Sequence, residues 1–381
     1  MNKGHQKHAK LAKPDLGYFG RNELSILGTP CGDIKTIANA ISRELSSQYN
    51  VAYVDADHKS ADDESNLMGN PLAEGFSLVY TDKIDFTRVD AISAPESFES
   101  RQWFNAQDLI LVNGNHFEAN SQIIVIDHRK PLEKKLAKLT NVVAVIAETD
   151  DIIPDYLLKK MPEINNLPRF SKGDHEGLIN FVDQFLVSRM PELNGLVLSG
   201  GRSERMQRDK ASLEYHGQSQ KLHMYGLLRS IVSDVFYSVR ADQASDRSNE
   251  ILDKFTGLGP YGAIISAMMD NPNRAWLVTA VDQPFLNEQT LRRLIDARNP
   301  SKLATAFYNP ETDFPEPLVT IWEPRAYPVM LNYLSQGYSC PRKVLINSDI
   351  ELIKLEDATA LDNVNTPEEY LAARKRLGLN N

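Results

Sequence analysis

Apolar residues fall in short unbroken runs separated by longer stretches with helical spacing, and this alternation occurs twice along the chain. The first series reads as strands at Leu24–Leu27, Val51–Val54, Leu109–Val112, Ile123–Ile126 and Val142–Ile146. Ile34–Leu45 and Leu132–Leu139 read as helices between them, and Gly177–Val187 closes the series with apolar spacing suited to a helix. Arg189–Asn194 reads as a short linker. The second series opens at Leu196–Leu198 and continues with Val235–Val239, Trp276–Ala280 and Leu303–Ala306. Strands alternating with helices imply layered α/β architecture around a largely parallel sheet. The expectation is an α/β chain of two domains, residues 1–190 and 191–381, each a largely parallel sheet with flanking helices.

Length agrees: 381 residues at roughly 150 per domain give two or three domains. With 42% hydrophobic and 24% charged residues, the composition is that of an ordinary globular protein. The net charge of −9 argues against general nucleic-acid affinity, so an anionic ligand must be held by a local site. Cys31 and Cys340 are too few and too far apart for a disulfide framework, which suggests a reducing compartment. No apolar run reaches the roughly 18 residues of a membrane span. The basic opening residues lack the apolar stretch of a signal peptide. A cytoplasmic protein without membrane partners is expected.

The strongest chemical signal is Leu196–Ala211, LVLSGGRSERMQRDKA. A strand runs directly into Ser199-Gly200-Gly201, followed by Arg202, Arg205, Arg208 and Lys210. In open parallel sheets ligands bind beyond the carboxyl ends of strands. Glycines let the backbone approach a phosphate or a base, and successive N–H groups in such a turn form an anion-binding concavity. Downstream, Asp282 ends another apolar run at the same expected edge, where a carboxylate can hold Mg²⁺ together with substrate phosphates.

Leu198–Lys210 resembles the signature of the molybdenum cofactor guanylyltransferases, roughly L-A-G-G-x-S-x-R-M-G-x-D-K, with Ser199 for Ala and Gln207 for Gly. Three further stretches follow in that family's order. Thr256–Ala263 resembles its G-P-L-x-G turn, with Tyr261 in the Leu place. Leu277–Phe285 resembles its strand ending in D-x-P-F, and Asn363–Glu369 its closing N-x-N-T-P-E-E. Thr366-Pro367-Glu368-Glu369 is also a good helix start in its own right. The resemblance implies a Rossmann-like nucleotidyltransferase fold for the second domain. It implies transfer of GMP from GTP to the terminal phosphate of molybdopterin or molybdenum cofactor, with Mg²⁺. Leu198, Ser199, Gly200, Gly201, Lys210, Ser238, Asp253 and Asp282 would contact nucleotide. Lys210, assisted by Arg205, would neutralise the triphosphate, and Asp282 would carry the metal. Molybdoenzymes or cofactor-insertion proteins would be downstream partners. Two alternatives stand beside this reading: a related transferase using CTP or a sugar phosphate, and a non-catalytic nucleotide-binding adaptor.

In the first domain, Gly28–Thr36 looks like strand, loop and helix start, but the distance from Gly28 to Lys35 is one residue too long for a phosphate-binding P-loop. Asp33 adds an opposing charge. Val51–His58, Asp108–Asn115 (with Asn113 in an acidic position), Val142–Ile146 and Leu167–Leu186 resemble the guanylyltransferase's GTP-binding adaptor. The departures imply a degenerate P-loop without GTP hydrolysis. His5, His8, Cys31 and His58 match no standard metal-binding spacing.

Overall fold

The computed structural model describes residues 16–56, 70–148, 152–200, 210–245 and 247–379. The chain divides into two compact units, Met1–Arg189 and Met190–Asn381.

In the first unit, strands β1 (Glu23–Leu27), β2 (Val51–Val54), β5 (Leu109–Asn113), β6 (Ser121–Val125), β7 (Val142–Ile146) and β8 (Arg169–Phe170) form a sheet in the order β2-β5-β1-β6-β7-β8. All of its pairings are parallel. β1, β5 and β6 are buried along their whole length, as expected of strands covered on both faces. The helix Cys31–Leu45 buries Ile34, Ala38, Ile41 and Leu45, the spacing of one helical face. The helix His175–Ser188 buries Leu178, Val182, Phe185 and Leu186 in the same core. Leu132–Leu139, expected as a helix, forms a 3₁₀ stretch over Glu133–Lys138. A hairpin of β3 (Leu78–Asp82) and β4 (Thr87–Ala91) stands apart as its own two-stranded sheet and was not foreseen.

The second unit is built on β9 (Leu193–Leu198), β10 (Val235–Val239), β11 (Glu250–Leu252), β12 (Ala275–Ala280), β13 (Ala304–Asn309), β14 (Phe314–Trp322) and β15 (Glu351–Lys354). Their order is β11-β10-β9-β12-β14-β13-β15. β11, β10, β9 and β12 run parallel, whereas β14 is antiparallel to both of its neighbours. Leu193 and Asn194 belong to β9, so the linker expected over 189–194 is shorter than its composition suggested. Apolar side chains on the two faces of this sheet make separate clusters, one around Leu277 and Phe307, the other around Trp276 and Trp322. The helix Pro260–Asp270 is buried along most of its length, and Gly262 lets it approach the preceding loop: a β-carbon there would lie 2.1 Å from the Phe255 carbonyl oxygen.

Candidate functional site

The registers of the second sheet decide where the polar side chains converge. Leu198 pairs with Ala280 on one side and with Ser238 on the other. The turn after β9, Asp282 after β12, and the end of β10 therefore meet at one carboxyl edge. A cavity of about 870 Å³ opens there. Leu198, Ser199, Gly200, Lys210, Ser238, Asp253 and Asp282 all line it, together with the start of the helix Pro260–Asp270. Gly201 and Arg205, the other expected site residues, lie outside the described residues.

Lys210 opens a 3₁₀ turn, Lys210–Ser212. Its Nζ lies 3.2 Å from Asp282 Oδ2 and donates to Asn365 Oδ1 at 2.7 Å. The Val364 N–H donates to the Asp282 carbonyl at 2.7 Å, which ties the closing motif to the end of β12. Thr366 and Glu369 form the reciprocal capping box that starts the helix Pro367–Arg376. The motif thus serves helix capping and, one residue earlier, the lysine. Asp282 Oδ1 is buried and has no hydrogen-bond partner among the described residues. A buried carboxyl oxygen left without a partner calls for a cation or water, and one carboxylate with substrate phosphates is a usual donor set for Mg²⁺.

On the other wall, Ser199 Oγ donates to the Ser238 carbonyl at 2.9 Å, so the serine in the alanine place keeps its hydroxyl satisfied. Ser238 Oγ donates to Asp253 Oδ1 at 2.7 Å. Burial pushes the Asp253 carboxyl above its ordinary value, opposed by the Ser238 hydroxyl and the charge of Arg240. Tyr261 fits the leucine place because its hydroxyl reaches the Met330 carbonyl at 2.6 Å, and burial moves its pKa to about 12.

Several residues here escaped sequence reasoning. Arg240 and Asp242 line the cavity without belonging to any motif. Glu316 on β14 is 2% exposed and held by Asn309 Nδ2 and the Leu318 N–H, both at 3.2 Å. Its carboxyl is pushed up, by burial first and by the charge of Asp282 last. The prolines at 315 and 317 disguise this stretch as a loop.

In the first unit the turn after β1 is filled by the protein's own charges. The Thr29 hydroxyl donates to Asp127 Oδ2 at 2.8 Å and lies 3.2 Å from Asp33 Oδ2. Arg129 bridges Asp127 and Asp33. The Asp127 carboxylate is fully buried, and the Arg129 guanidinium holds it far below the usual carboxylate range. Lys35 is exposed on the helix Cys31–Leu45. Among the described residues, no group of three or more His, Cys, Asp or Glu is placed to hold a metal; His5, His8 and His58 lie outside them. No described helix is long and apolar enough to cross a membrane.

Residues 195–350 match the family described as MobA-like NTP transferase domain. The chain is 34% identical over 188 residues to a molybdenum cofactor biosynthesis bifunctional protein of Synechocystis, covering 48% of this chain and 54% of that one. It therefore spans about half the length of that relative. It is 30% identical to a molybdenum cofactor guanylyltransferase of Rhizobium johnstonii, over 48% of this chain and 92% of that protein. The structure of Bacillus subtilis MobB is 15% identical, with a TM-score of 0.31, over 43% of this chain and 96% of that one.

Proposed function

The chain belongs, through its C-terminal half, to the molybdenum cofactor guanylyltransferase family, and from that premise we propose that it joins GMP from GTP to the terminal phosphate of molybdopterin or molybdenum cofactor, releasing pyrophosphate. The observation that carries this reading is the lysine–carboxylate pair of Lys210 and Asp282, held at the carboxyl edge of the sheet on the wall of the 870 Å³ cavity. A phosphate monoester is already a usable nucleophile near neutral pH, so the site needs positioning and charge stabilisation more than a general base. The acceptor oxygen attacks the α-phosphorus in line, and the bond to the pyrophosphate oxygen breaks. Lys210, oriented by Asp282 and Asn365, stands where the charge of the triphosphate must be neutralised. Asp282 would hold Mg²⁺ through its unpartnered oxygen, and the ion, when bound, supplies further neutralisation of phosphate oxygens. Ser199, Gly200, Ser238 and Asp253 form the wall for the nucleoside.

The first unit serves as a docking or cofactor-delivery module, a role suggested by its fusion to the transferase and by a turn closed against phosphate. The test is incubation of the full chain with each of the four nucleoside triphosphates and the cofactor, following pyrophosphate release. Release with GTP that depends on the acceptor is expected. Preference for CTP, or release without the acceptor, refutes the reading.

A further inference from the structure

Arg240 follows β10 immediately and reaches back over the Gly-rich turn. Its Nη1 donates to the Gly200 carbonyl at 2.5 Å. Its Nε and Nη2 each donate to one oxygen of the Asp242 carboxylate, both at 3.0 Å. The planar fork of a guanidinium suits this double engagement, and a lysine cannot reproduce it. Asp253 approaches Gly200 as well: a β-carbon built on the glycine would lie 3.4 Å from Asp253 Oδ2 and 3.5 Å from Arg240 Cγ. The first glycine of the turn is therefore flanked by a cation that grips its carbonyl and by a carboxylate beside its α-carbon.

We propose that Arg240 is a positioning residue of the nucleotide pocket: its guanidinium fixes the Gly200 end of the turn, and its charge stands beside Asp253, the carboxylate that receives the nucleoside. This rests on reading the cavity as the GTP site. The surroundings of Asp253 support the electrostatic half. Ser238 on β10 offers a hydroxyl, and the turn after β9 offers backbone. Lys254, next in the chain, pairs with Asp270 at 3.2 Å. Asp242 is engaged by Arg240, and on the β12 side of the cavity Lys210 and Asp282 pair with each other. Among the described residues, Arg240 is thus the cation acting on Asp253, against the burial that favours its neutral form.

The test uses the full chain as Arg240→Gln, Arg240→Lys and Asp253→Asn, with KM for GTP and kcat measured between about pH 5 and pH 8. In Arg240→Gln, KM for GTP should rise about tenfold while kcat stays within about threefold, and the acid limb of kcat/KM should move to higher pH. Arg240→Lys should restore the limb but not the KM at alkaline pH, because charge returns without the fork. Adding Arg240→Gln to Asp253→Asn should move no limb. An unchanged KM and pH limb in Arg240→Gln overturns the proposal. So does a KM rise that is independent of pH and equal in the Gln and Lys variants, the mark of a merely structural loop anchor. A wild-type chain that releases no pyrophosphate overturns the function proposed above instead. Equilibrium binding of a fluorescent GTP analogue to wild type and Arg240→Gln then decides for Arg240: about tenfold weaker binding supports its role, and equal binding overturns it.

Discussion

Replacing Lys210 with alanine separates what the lysine does for the fold from what it does for the reaction. Its ammonium lies 3.2 Å from Asp282, and the two side chains are 15% and 21% exposed. At an effective dielectric of about 20, the Coulomb attraction at that distance is about 5 kcal/mol. Desolvation of both groups offsets most of it, and partial solvent access reduces the rest, so the net loss to the fold is about 1–2 kcal/mol. That lowers Tm by a few degrees, roughly 2–8 °C. The reaction loses more, because negative charge accumulates on the departing pyrophosphate. One such contact is worth about 3 kcal/mol in the transition state, a fall of about 150-fold in kcat/KM. The assay is a coupled measurement of pyrophosphate release at several GTP concentrations, beside a thermal melt. Lys210→Arg keeps a charge and should retain part of the rate. Near-wild-type release from a folded Lys210→Ala variant would refute the reasoning outright.

Asp282→Asn should raise the Mg²⁺ concentration needed for half-maximal activity by about tenfold or more while GTP binding changes less, since an amide is a poor Mg²⁺ ligand; an unchanged titration curve would make Asp282 structural. Residues 191–381 expressed alone should retain guanylyl transfer, and residues 1–190 should hydrolyse no GTP, because the turn after β1 is occupied by the ion pairs of Arg129 with Asp33 and Asp127. Phosphate release from the first piece, or a folded but inactive second piece, would contradict this division. His223, stacked on His216 with ring centroids 3.8 Å apart, has its pKa lowered to about 4, by burial first and by the charge of His216 second. Its unfolded form takes up the proton more readily, so this contribution to stability is complete above about pH 6.5 and is lost as pH falls toward 4, by about 1–2 kcal/mol once solvent screening at this half-buried site is discounted. His223→Gln should lose correspondingly less stability between neutral pH and about pH 4.5 in urea titrations; equal losses in both proteins would exclude the histidine as the cause.

How far the sequence carried depends on the range of the interactions. Runs such as Leu109–Val112 and Trp276–Ala280 announce buried strands because local apolarity suffices to place them. The capping box at Thr366 is equally local. β14 was illegible for the opposite reason: Pro315 and Pro317 argue against a strand, and only pairing with β12 and β13 creates one. Of the site, the residues of the motifs were visible as chemistry, but their partners were not. Asn365 was legible as part of the closing N-x-N-T-P-E-E motif, not as the acceptor for Lys210, and Arg240 carried no signal apart from its nearness to Ser238. Such contacts are fixed by sheet order, which no spacing along the chain reveals. The broken spacing at Gly28 was visible, whereas the Thr29–Asp127–Arg129 network in the turn after β1 joins segments about a hundred residues apart.

The clasp of Asn365 on Lys210 joins residues 155 positions apart. On a ribosome adding about 5–20 residues per second, the lysine is made roughly 8–30 s before the amide that orients it. During that interval β9, β10 and β12 can assemble and the cavity can take shape, but Lys210 lacks its contact with Asn365. A nascent chain therefore acquires its trained lysine only after the rest of the sheet has been translated. Termination between Lys354 and Asn365 yields a domain with all seven strands of the sheet and a lysine that has Asp282 but not the amide.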